Sequence, residues 1–170
     1  MMIHIVPLIT DRGVSIVEAG VIAGLIGVGS IIGRIGAGFV SDKAGGKKVL
    51  AIALTIQLAA MVWLLFSRDT WMLYIFVLLF GLGSGGWAAL MAAFPANYFG
   101  LKDTGAILGF AIILAGVGAA IGPYFGGYIF DMTQSYDYLI VLCIIVCVAS
   151  VISSAFILPL KSKKQASLIH

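Results

Sequence analysis

The sequence predicts an all-α fold: a polytopic bundle of transmembrane helices with five full spans and the end of a sixth. Three observations predict it. The 170 residues are 62% hydrophobic and only 10% charged, with a mean hydropathy of +1.16, whereas a water-soluble domain carries charge on roughly a quarter of its residues. The apolar residues run in stretches of about 18 to 26, long enough to cross about 30 Å of hydrocarbon at ~1.5 Å per residue. Lipid offers no partners to bare backbone groups, so runs twice the length of a barrel strand must be helices. The same composition excludes a disordered chain, which is poor in apolar residues and rich in net charge.

Each element follows in chain order. Residues 1–9 are apolar but span only about 14 Å as a helix. With no basic n-region before Thr10, Asp11, Arg12 and Gly13, they are not a secretory signal. They read as the exit end of a span whose beginning is missing. Full spans are expected at about 19–40, 49–66, 71–94, 105–130 and 138–158, separated by polar breaks, and residues 161–170 form a basic tail. Cys143 and Cys147 stand four apart in the last run and read as small helix residues, not a bridge or metal pair. No metal site and no cofactor is expected.

Loop charge sets the orientation, because Lys and Arg near span ends stay on the cytoplasmic side. Lys43, Lys47, Lys48, Lys102, Lys161, Lys163 and Lys164, with Arg34, collect on one side, against Arg12 and Arg68 on the other. The C-terminus is therefore expected in the cytoplasm and the chain in the plasma (inner) membrane. The net charge of +3 belongs to these loops, and no nucleic-acid partner is inferred. Aromatic belts are expected at Trp63, Phe66, Trp71 and Tyr74 and at Tyr124, Tyr128, Tyr136 and Tyr138.

The chain holds 22 glycines. Small residues four apart let helices approach closely, and Gly20/Gly24, Gly29/Gly33, Gly81/Gly85, Gly105/Gly109, Gly118/Gly122 and Gly122/Gly126 are such pairs. They serve either static packing or sliding during a conformational cycle. Pro123 removes one helical hydrogen bond inside the fourth span. With Gly118, Gly122, Gly126 and Gly127 around it, a kink and an adjustable segment are expected there.

Arg34 is the one ionisable residue clearly inside a span, eight residues before Asp42 and so about 12 Å along the helix. Holding a cation there costs at least about 2.5 kcal/mol, and such residues face bundle interiors or wet cavities. Its planar guanidinium suits a carboxylate. The alternative is that Arg34 snorkels to the headgroups or pins loop carbonyls. His4 either donates to a substrate or is held by a neighbour's hydrogen bond. Ser30, Gln57, Ser84, Ser150, Ser153 and Ser154 either line a path or tie helices together. Glu18 and Asp131 fall near span ends, leaving no central carboxylate.

The first basic loop runs Gly38, Asp42, Lys43, Gly45, Lys47, Lys48 and resembles the signature loop of the major facilitator superfamily. The Gly122 to Gly127 segment looks like a family feature too. Asn97 to Gly100, the Asp131 to Tyr136 segment, and His4, Pro7, Thr10, Asp11, Arg12 and Gly13 resemble its monocarboxylate and oxalate/formate branch. The resemblance covers essentially the whole chain and implies the C-terminal six-helix half of a twelve-helix transporter, residues 1–160, with the N-terminal half missing. It implies alternating access between the two halves and a gate closed in part by Asp42. It also implies a substrate carboxylate held by Arg34, with His4 and Ser30 beside it.

Ser30 stands where animal-type monocarboxylate carriers have an aspartate, and no base lies between Lys102 and Lys161 to complete the two-cation clamp of oxalate carriers. The implied function is secondary transport of a small organic anion, a monocarboxylate rather than oxalate, by symport with a proton or by antiport. A second reading is a truncated membrane subunit that assembles without transporting. An enzyme is not expected. Gly83-Ser84-Gly85 lacks the glycine an intramembrane serine protease wants at Leu82, and the glycines at 27, 29 and 33 follow no strand and miss the dinucleotide spacing.

Overall fold

The computed structural model describes residues 2–99 and 101–156, and the side chains of all of these except 92, 95–99 and 101–103. A single 3-10 turn, Met2–His4, leads into α1 (Ile5–Asp11), α2 (Ile16–Ala44), α3 (Gly46–Phe66), α4 (Thr70–Phe99), α5 (Leu101–Thr133) and α6 (Asp137–Ala155). No strand occurs among the described residues, and five helices are long and apolar enough to cross a membrane. The fold is all-α, as the run lengths require. The basic tail, with Lys161, Lys163 and Lys164, lies outside the described residues, as do the side chains of Asn97, Tyr98 and Lys102.

Helix ends overrun the apolar runs, and the reason is local. Ser15 caps α2 by accepting from the Glu18 amide at 3.3 Å, and Glu18 in the first turn complements the helix dipole. α2 thus begins at Ile16, not Ala19. At its other end the ladder continues through the charged turn to Ala44, where Gly45 takes a positive φ of 86° and its amide donates to the Ser41 carbonyl at 3.0 Å. Only a residue without Cβ adopts that conformation cheaply. Hydropathy marks the depth of hydrocarbon, but a helix stops where its backbone finds a cap. α4 and α5 also exceed their expected spans of 71–94 and 105–130. α6 is described as far as Ala155, short of the expected 158.

α4 is the hub. It packs on α2, α3 and α5, and half of its membrane-length window is buried. Two glycine pairs make its contact with α2. A Cβ on Gly29 would stand 2.8 Å from the Leu78 carbonyl oxygen, and one on Gly81 2.6 Å from that of Ile26, while Gly33 and Gly85 abut the carbonyls of Leu82 and Ser30. The Gly29/Gly33 and Gly81/Gly85 stripes therefore interlock backbone to backbone. Gly20, Gly24, Gly105, Gly109, Gly118 and Gly122 meet nothing within 4 Å, and the glycine pairs expected there have no described partner.

α1 is too short to cross a bilayer, yet Ile5, Leu8 and Ile9 are among the most buried side chains of the protein, packed with Ile22, Leu64 and Phe76. Tyr136 corrects one belt assignment: it is buried and stacks on Phe130 with ring centroids 4.3 Å apart. Tyr124, Tyr128 and Tyr138 are exposed. α5 is peripheral, and apart from Gly126 none of its described residues is buried.

The half-buried Arg12 clasps the bundle at the α1–α2 turn. One guanidinium nitrogen donates to the carbonyls of Leu64, at 3.2 Å, and Ser67; the Leu64 carbonyl also accepts the Ser67 amide that closes α3, at 3.2 Å, so Arg12 is its second donor. Burial lowers its pKa, while Asp137 and Asp11 pull it back up. Removing the clasp by Arg12→Met takes the guanidinium donor from the Ser67 carbonyl, at about 1–3 kcal/mol, while the Leu64 carbonyl keeps the Ser67 amide. The expected result is a thermal midpoint in detergent lower by several degrees, with partial recovery in Arg12→Lys. An unchanged midpoint would show that the clasp contributes nothing.

Candidate functional site

Four of the residues singled out from sequence share one row of α2. Ser30, Arg34, Gly38 and Asp42 are spaced by four, and each step of four rotates about 40° around an α-helix, so the row winds slowly along one side. Arg34 and Asp42 are exposed, Ser30 is half-buried and Gly38 faces open space. The buried stripe of α2, through Ile22, Ile26, Gly29, Gly33 and Ala37, carries the contact with α4, with Ser30 at its border against Gly85, while Arg34, Gly38 and Asp42 lie further round the helix. One face of the helix holds the bundle together and the other is left for something else.

Neither Arg34 nor Asp42 has a hydrogen bond or ion pair among the described residues. Arg34 lies 18 residues beyond the start of α2 and ten before its end, about 27 Å and 15 Å respectively at ~1.5 Å per residue. An uncompensated guanidinium at that depth is met by a counter-charge, by a water-filled space or by snorkelling to the headgroups. Asp42 occupies the last turn of α2, where the partial negative charge of the helix terminus disfavours a carboxylate. Both charges call for partners that the described chain does not supply.

His4 is not brought to this row. Its Nε2 lies 3.0 Å from the Pro123 carbonyl oxygen, so Nε2 carries the proton and donates. The ring sits in a notch of α5: a Cβ on Gly126 would stand 3.0 Å from His4 Nε2, and Gly127 lies just beyond. His4 also faces Tyr136, centroid to centroid 6.1 Å. Seven residues separate His4 from the end of α1, about 10 Å. Its depth thus differs from that of Arg34 by about 17 Å. α5 runs as one helix through Pro123, with Gly118 and Gly122 facing open space.

The basic loop divides its work. Gly45 makes the turn, Lys43 and Lys48 are exposed, and Lys47 donates from Nζ to the Ala155 carbonyl at 3.1 Å. That last bond ties the loop to the end of α6. Nothing in the sequence pointed to it, because the two residues lie 108 apart. No cluster of three or more His, Cys, Asp or Glu that could hold a metal occurs among the described residues.

Known proteins show the family. The Major Facilitator Superfamily model matches residues 1–169. The uncharacterized MFS-type transporter YcxA of Bacillus subtilis is 33% identical over 174 residues, covering 98% of this chain and 41% of that protein. The class H tetracycline resistance protein of Pasteurella multocida is 29% identical over 120 residues, 71% of this chain and 30% of that one. Monocarboxylate transporter 14 of Homo sapiens is 33% identical over 60 residues, 35% of this chain and 12% of the relative. The chain spans about two-fifths or less of the length of these relatives.

Proposed function

This chain belongs to the major facilitator superfamily, an integral multi-pass membrane family, and from that premise we propose that it is the C-terminal half of a secondary transporter for small organic anions. The substrate class is the monocarboxylates, moved by alternating access between this half and an N-terminal six-helix half. Its membrane is the plasma (inner) membrane, with the C-terminus in the cytoplasm.

The observation that carries the reading is the unpartnered Arg34 guanidinium on the open face of α2. A transport site needs a charge that is stable when the site is occupied and accessible when it is empty. A forked cation answers a carboxylate with two parallel hydrogen bonds. Ser30, one turn away, offers a hydroxyl to the same ligand. One guanidinium without a second cation favours one carboxylate over two. Asp42, at the mismatched end of the same row, is the gate residue, and it meets a base or a helix N-terminus of the other half when the cavity closes on that side. Among the relatives, one is named for monocarboxylates and one for tetracycline resistance, which supports transport as the reading and leaves substrate choice to the cavity wall.

The test is counterflow in proteoliposomes with the protein as its gene encodes it. A labelled monocarboxylate should exchange with unlabelled monocarboxylate inside, with dicarboxylates competing poorly and neutral analogues not at all. A pH gradient, acid outside, separates proton symport, whose uptake it drives, from exchange of one organic anion for another, which it does not drive. No counterflow of any small carboxylate would overturn the reading.

A further inference from the structure

Between α2 and α3 the surface carries an open apolar groove of about 250 Å³, with α4 as its floor. On α2 it is bounded by Ile32, Gly36 and Val40, and on α3 by Ile52 and Ile56. Two lysines continue those rows. Lys43 follows Val40 by three residues, and Lys48 precedes Ile52 by four, so each stands one turn further on the same side of its helix. Both lysines are exposed and neither has a hydrogen bond or ion pair among the described residues. The other charges of the loop are turned elsewhere: Lys47 is bonded to the Ala155 carbonyl, and Asp42 lies about 100° around the helix from Lys43.

We propose that this groove is a binding site for one anionic glycerophospholipid, with an acyl chain lying along the α2–α3 seam and the phosphate held by Lys43 and Lys48. The apolar walls and the two cations fall in the order a lipid presents them, chain below and headgroup above. The volume suits part of one chain, being room for about eight groups the size of a water molecule at ~30 Å³ each. Gly36 keeps the seam open: a Cβ there would meet nothing within 4 Å, so the space is not filled by the protein itself. The site lies on the other side of α2 from the Arg34 row and does not depend on what that row binds.

The experiment purifies the protein as its gene encodes it in mild detergent with equimolar phosphatidylglycerol and phosphatidylcholine of identical chains, and reads the retained lipids by native mass spectrometry. Phosphatidylglycerol should be retained at least about five-fold over phosphatidylcholine, the scale of one lysine near an anionic surface. Lys43→Gln with Lys48→Gln should bring the ratio to parity, and Lys47→Gln should leave it within two-fold of the parent. Gly36→Leu, whose Cβ would meet nothing within 4 Å and whose other carbons take up groove space, should lower retention of both lipids at an unchanged thermal midpoint. Parity in the parent protein would overturn the site. So would an excess that survives the double variant, an equal loss in Lys47→Gln, or retention unaffected by Gly36→Leu.

Discussion

Replacing Arg34 with alanine should abolish uptake of the transported carboxylate while leaving the protein inserted, monodisperse and no less heat-stable. The two halves of that expectation come from one observation: the guanidinium has no partner among the described residues, so its removal breaks no bond that holds the bundle. What is lost is the contact with the ligand. Truncating one member of a desolvated charge pair costs about 2–5 kcal/mol, which at ~1.4 kcal/mol per decade is a loss of about 30-fold to several thousand-fold. Arg34→Lys separates charge from shape. Lysine keeps the cation but not the planar fork, so transport should fall less, chiefly through a weaker apparent affinity. Initial uptake rates in proteoliposomes, normalised to inserted protein, decide it. Near-normal uptake by the alanine variant would remove Arg34 from the site and favour a guanidinium that snorkels to the headgroups.

Much of this arrangement was legible before any coordinates. The hydrocarbon thickness is a length that a run of apolar residues either meets or does not, which is why all five full spans and the shortness of residues 1–9 are readable. The Gly29/Gly33 and Gly81/Gly85 stripes could be recognised as packing surfaces, but not matched to each other, since spacing within a helix carries no information on its neighbour. Arg12 is the plainest omission. A basic residue after a short helix reads as a topology signal, and its bonds to Leu64 and Ser67 come from a segment more than fifty residues away. A tyrosine beside a span end reads as interfacial, as Tyr136 does from sequence. Stacking on Phe130 buries it, and burial, with Asp11 and Asp131 nearby, pushes its phenol pKa up. For Arg34, Ser30 and Asp42 the sequence supplied the residues, and the continuous α2 helix supplied their common row.

Gly85→Leu should be the most damaging single change to the bundle. A Cβ at Gly85 would overlap the Ser30 carbonyl oxygen, and backbone cannot rotate aside as a side chain does. Even Gly85→Ala must push α2 from α4, at about 1–3 kcal/mol for overpacking. Leucine adds three more carbons to the same gap and should leave no monodisperse folded protein in detergent. Gly105→Ala is the counterpart. The space beside Gly105 is open, and alanine is favoured over glycine in a helix by about 1 kcal/mol, so stability should hold or rise. The pair decides between the two uses of glycine that the sequence leaves open. If Gly105→Ala folds well and still transports, the exposed glycines of α5 are passive. If it folds well and transport falls, the bare face of α5 is a sliding surface whose partner approaches only during the cycle, and static packing is confined to the α2–α4 seam. A stable, active Gly85→Leu would refute the close contact between those two helices.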